Sequence, residues 1–126
     1  LVYANGGHLP PLLRRASGRW EMLEANGMVL GVMDGLRYRE SSRQLEPGDL
    51  LVLYTDGVTE AMNSRHELFT EERLLDCLRG DPKASAAEVA ARVDDAVAAF
   101  VDGAAPSDDL TMVVLRYLGG SPQLRQ

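Results

Sequence analysis

Cysteine is nearly absent: Cys77 stands alone among 126 residues, which excludes an internal disulfide. A fold that uses no disulfide fits a reducing compartment, so the expected location is the cytoplasm. Histidine is scarce too, and His8 and His66 fall with Cys77 at no usual zinc-ligand spacing. Cys77 lies in the helical pattern RLLDCLR and is expected to be a buried helix residue. Long hydrophobic runs are missing, and none approaches the ~20 residues that cross a bilayer. No signal-peptide pattern opens the chain. Positive charge is in deficit, with 13 Lys and Arg against 19 Asp and Glu and a net charge of -6. That balance speaks against nucleic acid, whose phosphates need a basic surface, and against an anionic membrane. No internal repeat is present.

What remains is an ordinary globular composition, 45% hydrophobic and 25% charged. A chain of this length suits one domain or part of one, burying roughly two thirds of its unfolded surface. The opening LVYAN has no Met and already reads as a strand, so the expectation is a fragment of a longer protein.

Along the chain, residues 1–4 and 12–15 are strand-like and flank NGGHLPP, which reads as a hairpin-like connection. RWEMLEA is a further strand, NGMVLGVMDG a loop crossing over the sheet, and residues 36–45 an exposed or edge strand. Glu46-Pro47-Gly48-Asp49 has the residue order of a type II turn. Leu50 to Tyr54 is continuously apolar, as in a strand covered on both faces. Two helices follow. Thr70 is placed to cap the first, with Phe69 and Leu74 as a staple. Ser85 and Glu88 form a capping box for the second, whose core stripe is Val89, Val93, Ala96, Val97 and Phe100. The charges of FTEERLLDCLRGD read as a solvated helix face, and residues 110–117 as a last apolar strand.

Two acidic corners stand out. Asp56 follows the strand that ends at Tyr54, and Asp108 and Asp109 precede the strand that begins at Leu110. If those strands are antiparallel neighbours, the carboxylates reach one edge of the sheet. Two carboxylates about 4 Å apart repel by roughly 4 kcal/mol at an effective dielectric near 20. Such a cluster separates, takes up a proton or holds a cation. Oxygen-only donors favour a hard ion such as Mg²⁺ or Mn²⁺, whose bound water becomes a nucleophile near neutral pH. Gly57 lets the backbone come close without a side chain in the way. Singly, each corner has a plain structural reading: Asp-Gly is a hairpin signal, and PSDDL a loop before a strand. VTEAMN alternates too poorly to be a convincing hairpin partner.

Four ordered segments, ANGGHLPPLLRR, LEPGDLLVLYTDGVTEAMN, ELFTEERL and SDDLTMVVLRY, resemble the C-terminal half of a metal-dependent (PPM-type) protein phosphatase domain of the bacterial SpoIIE/RsbU group. The resemblance runs over about residues 1–118, with 119–126 left as a tail or linker. It implies an α+β fold, part of a four-layer α-β-β-α sandwich, with mostly antiparallel sheet and two helices after the central strand. It places metal-binding residues at Asp56 and Asp108, with Asp109 a weaker candidate and Gly57 beside Asp56. The implied cofactor is Mn²⁺ or Mg²⁺, and the implied reaction is in-line attack of water on phosphoserine or phosphothreonine. The implied partners are a phosphorylated anti-anti-sigma (STAS-type) protein and sensory or regulatory domains upstream in the same chain.

Two departures bear on this. Asn5-Gly6-Gly7-His8 replaces the usual Asn-Ala-Gly-His, and His8 reads as a turn or packing residue. The upstream Asp-x-x-Gly-His-Gly motif, which supplies a bridging ligand in the family, is not in these residues. The chain by itself is therefore expected to be inactive, and its uncovered sheet surface to favour self-association. A haloacid-dehalogenase phosphatase would need its nucleophilic Asp at Tyr54. A phosphatase-like module that binds a regulatory partner without catalysis remains the other reading.

Overall fold

The computed structural model describes residues 1–3, 9–23, 41–80, 83–104 and 110–120. Its strands are β1 (Val2–Tyr3), β2 (Leu12–Arg14), β3 (Trp20–Met22), β4 (Ser41–Ser42), β5 (Leu50–Tyr54) and β6 (Met112–Arg116). Its helices are α1 (Asp56–Thr59), α2 (Thr70–Leu78) and α3 (Ala86–Val101). A four-stranded sheet has the order β3-β2-β5-β6, antiparallel at every step, and β1 pairs with β4 in a separate two-stranded sheet. This is the expected α+β architecture. It corrects one local expectation, because β1 and β2 do not form a hairpin across NGGHLPP. β1 takes its partner from β4 instead, so the chain changes sheets between the two strands.

One face of the larger sheet carries the core. Leu12, Leu50, Val52 and Tyr54 pack with Leu74 and Leu78 of α2 and with Val89, Val93 and Val97 of α3. The α3 stripe is thus the expected one, with Ala96 and Phe100 partly buried against the same cluster. Phe100 meets Phe69 edge to face, with centroids 5.5 Å apart. The capping box forms: the Glu88 N–H donates to the Ser85 hydroxyl at 3.1 Å, and the Ser85 N–H to the Glu88 carboxylate at 3.5 Å. α2 begins differently. Thr70 makes no capping bond and sits at φ +74, a left-handed angle unfavourable to a β-branched residue. Cys77 is half-buried against the core, where burial and then the Asp76 charge push its thiol pKa up. Arg73 is not merely solvated. Its guanidinium lies 4.5 Å from the Phe100 ring centre and donates to the Leu68 and Phe69 carbonyls.

The other face of the sheet is open on one side. β5 alternates buried and half-buried residues rather than being covered on both faces. Leu51 and Leu53 share their face with Val113 and Leu115 of β6, which are 54% and 47% exposed. The apolar run of β5 is explained by helices on one side and a partly uncovered apolar surface on the other.

The Pro47-Gly48 turn behaves as expected, with Gly48 at φ +94 and the Asp49 N–H donating to the Glu46 carbonyl at 3.0 Å. Asp49 anchors it. This carboxylate is 1% exposed and accepts the Glu46 and Ala16 N–H groups at 2.9 and 2.8 Å. It also accepts the Arg15 guanidinium at 2.9 Å, while Arg15 reaches Glu21 on β3 as well. Burial alone would raise the Asp49 pKa, but the two N–H donors and Arg15 outweigh it and hold the group below its usual value. The end of α2 is tied by two arginines, Arg14 donating to the Leu78 carbonyl at 3.2 Å and Arg92 to that of Cys77 at 3.4 Å.

Replacing Asp49 by Ala leaves Arg15 and two N–H groups short of a buried partner and is expected to cost about 3 kcal/mol in chemical unfolding. Because the folded pKa is depressed, the Asp49 contribution is complete above the ordinary carboxylate value of 3.8 and is lost as pH falls through the lower folded value. Asp49→Asn should therefore flatten the acid limb of a stability-against-pH curve. Ser85→Ala is expected to lower stability by about 1 kcal/mol in the same measurement.

Candidate functional site

The last residue of β5 is buried and the next residues leave the sheet. Tyr54 is 2% exposed, and its hydroxyl donates to the Glu71 carboxylate on α2 at 3.4 Å. Burial first, and then the negative charges of Glu71 and Asp56, push its phenol up to about 12. Asp56 opens α1 and is exposed. Gly57 and Val58 turn into the core side and are buried. The Glu60 N–H donates to the Asp56 carbonyl at 2.8 Å, closing the single turn of helix.

This settles the local reading of Asp-Gly. TDGV is a strand-to-helix turn rather than a β-hairpin, and Gly57 is helical, not a left-handed turn residue. The single helical turn Asp56–Thr59 departs from the sequence expectation, which has two helices, both later in the chain. Beyond it, Met62 and Leu68 form an isolated antiparallel bridge around a loop organised by Asn63. The Asn63 side-chain oxygen accepts the Arg65 and Glu67 N–H groups at 2.9 and 3.0 Å.

The antiparallel condition on the two acidic corners holds. β5 and β6 run antiparallel with Tyr54 opposite Met112, and the Thr55 N–H donates to the Thr111 carbonyl at 3.1 Å. Asp56 therefore leaves the sheet at the edge where the chain enters from Leu110. Asp108 and Asp109 lie outside the described residues, as do His8 and the Asn5-Gly6-Gly7 turn. Among the described residues no group of three or more His, Cys, Asp or Glu is gathered to hold a metal ion. Asp56 is an exposed hard-oxygen donor and fits one arm of a Mg²⁺ or Mn²⁺ site; it is the only one of the candidate carboxylates described. A cleft of about 250 Å³ opens elsewhere, lined by Arg14, Ser17, Gly18, Trp20, Leu78 and Arg79. Arg14 pairs with Leu50, at the far end of β5 from Asp56, and the cleft has two arginines and no carboxylate. Such a lining cannot hold a cation.

The family model described as Stage II sporulation protein E (SpoIIE) matches residues 1–118. The chain belongs to the SpoIIE family. It is 31% identical over 116 residues to phosphoserine phosphatase RsbU of Bacillus subtilis (strain 168), covering 91% of this chain and 34% of RsbU. To protein IcfG of Synechocystis sp. (strain ATCC 27184 / PCC 6803 / Kazusa) it is 30% identical over 115 residues, covering 91% of this chain and 18% of IcfG. This SpoIIE-family chain thus spans about a third of the length of RsbU and less than a fifth of IcfG. Among solved structures, the SiaA-PP2C domain of Pseudomonas aeruginosa superimposes with a TM-score of 0.75 at 21% identity, over 92% of this chain and 45% of that one. That likeness shows the fold to be of the PP2C type. In this SpoIIE-family sheet the Thr55-Asp56-Gly57 segment leaves β5 beside Thr111, where the chain enters β6.

Residues around the corner escaped the sequence reading. Thr55 and Thr111 each lie within three residues of a candidate carboxylate, and a hydroxyl residue flanking both acidic motifs is the one sequence signal for them. Asn63 lay in the quoted TDGVTEAMN, but its loop depends on a backbone path that no local pattern announces.

Asn63→Ala removes the one oxygen that accepts both loop N–H groups and is expected to cost about 1 kcal/mol. Limited proteolysis should then cut faster between Met62 and Leu68, whereas an unchanged cleavage pattern would show that the loop holds without it.

Proposed function

We propose that the domain to which this chain contributes hydrolyses phosphoserine or phosphothreonine on a protein, using Mn²⁺ or Mg²⁺ held by Asp56 and Asp108. The observation that carries this is the β5–β6 register, with Tyr54 opposite Met112, which sends Asp56 out at the edge where Leu110 and Thr111, next after Asp108 and Asp109 in the sequence, lead into β6. Asp109 is a second, weaker donor, and Gly57 beside Asp56 brings no side chain of its own to the site. The bound ion supplies Lewis acidity and a water of lowered pKa. Asp56 supplies negative charge just beyond the end of β5. Because Asp56 is exposed, a phosphorylated side chain can approach from solvent.

The relative RsbU is named a phosphoserine phosphatase, which supports this reaction class. By the same kinship the substrate is a phosphorylated STAS-type anti-anti-sigma protein in a bacterial partner-switching pathway. The protein works in the cytoplasm with sensory or regulatory domains upstream. No helix among the described residues is long and apolar enough to cross a membrane.

The test is phosphate release from the phosphorylated substrate protein by the full-length protein in Mn²⁺. Asp56→Asn should lower turnover by orders of magnitude while binding of the substrate protein persists. Wild-type turnover by Asp56→Asn would defeat the proposal. The 126 residues alone, which lack the Asp-x-x-Gly-His-Gly motif, are expected to release no phosphate above background under the same conditions.

A further inference from the structure

The Thr55 side chain completes a bond that the backbone has given up. In an antiparallel ladder, residues of a hydrogen-bonded pair exchange two bonds, each N–H going to the opposite carbonyl. Thr55 and Thr111 stand one position beyond Tyr54 and Met112 in the register, and the first bond of the pair is made, Thr55 N–H to Thr111 carbonyl at 3.1 Å. The return bond is not made by the Thr55 carbonyl. That oxygen has turned away to accept the Val58 N–H at 3.0 Å as α1 begins. The Thr111 N–H instead meets the Thr55 hydroxyl oxygen at 3.3 Å. The same hydroxyl donates towards the Thr111 carbonyl at 3.4 Å. A side-chain oxygen replaces the diverted carbonyl, and the ladder gains one more pair after β5 has started to leave the sheet.

We propose that Thr55 is a positioning residue for the acidic edge. Its hydroxyl lets the chain turn out at Asp56 without releasing Thr111, which follows Asp108 and Asp109 by three and two positions. The inference rests on the reading that Asp56 and Asp108 share a divalent ion. Thr111 is exposed, so water can take up the bonds that a missing hydroxyl would leave. Loss of the hydroxyl therefore disturbs the placement of the β6 entry strand far more than it disturbs overall stability. A serine keeps the oxygen and should keep the function; a valine keeps the shape and should not.

The experiment uses the full-length protein and Thr55→Val, Thr55→Ser and Thr55→Ala. In the absence of metal, hydrogen exchange of the Thr111 amide should quicken several-fold in the Val and Ala variants and stay as in the wild type in Thr55→Ser. Calorimetric titration with Mn²⁺ should show affinity weakened by about 10–100-fold in the Val and Ala variants, the range typical of lost ligand-orienting contacts, and restored in Thr55→Ser. Turnover should recover at saturating Mn²⁺ with KM for the phosphorylated protein unchanged. Wild-type exchange and Mn²⁺ affinity in Thr55→Val, or a Thr55→Ser that behaves like Thr55→Val, would overturn the role of the hydroxyl. Asp56→Asn separates the two levels. If it abolishes Mn²⁺ binding while Thr55→Val does not weaken it, only this inference fails; if it leaves binding and turnover intact, the metal-site reading fails and takes the inference with it.

Discussion

Five residue pairs, from Leu50 opposite Arg116 to Tyr54 opposite Met112, join β5 to β6, and the position of the acidic edge depends on them. The two strands are distant in sequence, with both larger helices between them, so nothing local sets their relation. The pairing is fixed by side-chain burial. Leu50, Val52 and Tyr54 must face α2 and α3, and a slip of one residue would turn all of them to the opposite side. With the register fixed, the end of one strand and the start of the other are fixed as well. The apolar core and the acidic corner are therefore one construction rather than two.

The polar groups around the sheet act at its two ends. At the start of β5, Asp49 gathers Arg15, Glu46 and Ala16, which fastens the Pro47-Gly48 turn to the β2–β3 hairpin. At the far end, Tyr54 reaches Glu71 and Thr55 reaches Thr111. One end is buried and charge-paired, suited to stability. The other ends in Asp56, an exposed carboxylate that water still reaches, so its charge costs little there.

Much of this was legible in the residues because it depends on short-range patterns. Ser85 and Glu88 announce a capping box at fixed spacing, and the α3 stripe repeats with helical period. Pro47-Gly48 can hardly be anything but a turn. Where the reading failed, the cause was non-local. Val2–Tyr3 carries no mark saying that Ser41–Ser42, not Leu12–Arg14, is its partner. Leu50 to Tyr54 looks the same whether both faces or one are covered, since the difference lies in what packs on Leu51 and Leu53. Thr70 has the residue type of a cap, yet its backbone angle excludes the role. At the acidic edge, the residue types suggested an ion and the pairing direction was the open question; the ladder answers it for Asp56, while Asp108 lies outside the described residues.

β6 combines two properties that seldom coexist on a free surface. It is an outermost strand of the described sheet, and its outward residues Val113 and Leu115 are large, aliphatic and wet. Unsatisfied amides along a rim invite strand addition, and a greasy face beside them gives any adhering chain a reason to stay. Prepared by themselves, these 126 residues should thus be awkward to concentrate, with clumping that begins at β6 and eases when that flank is shielded.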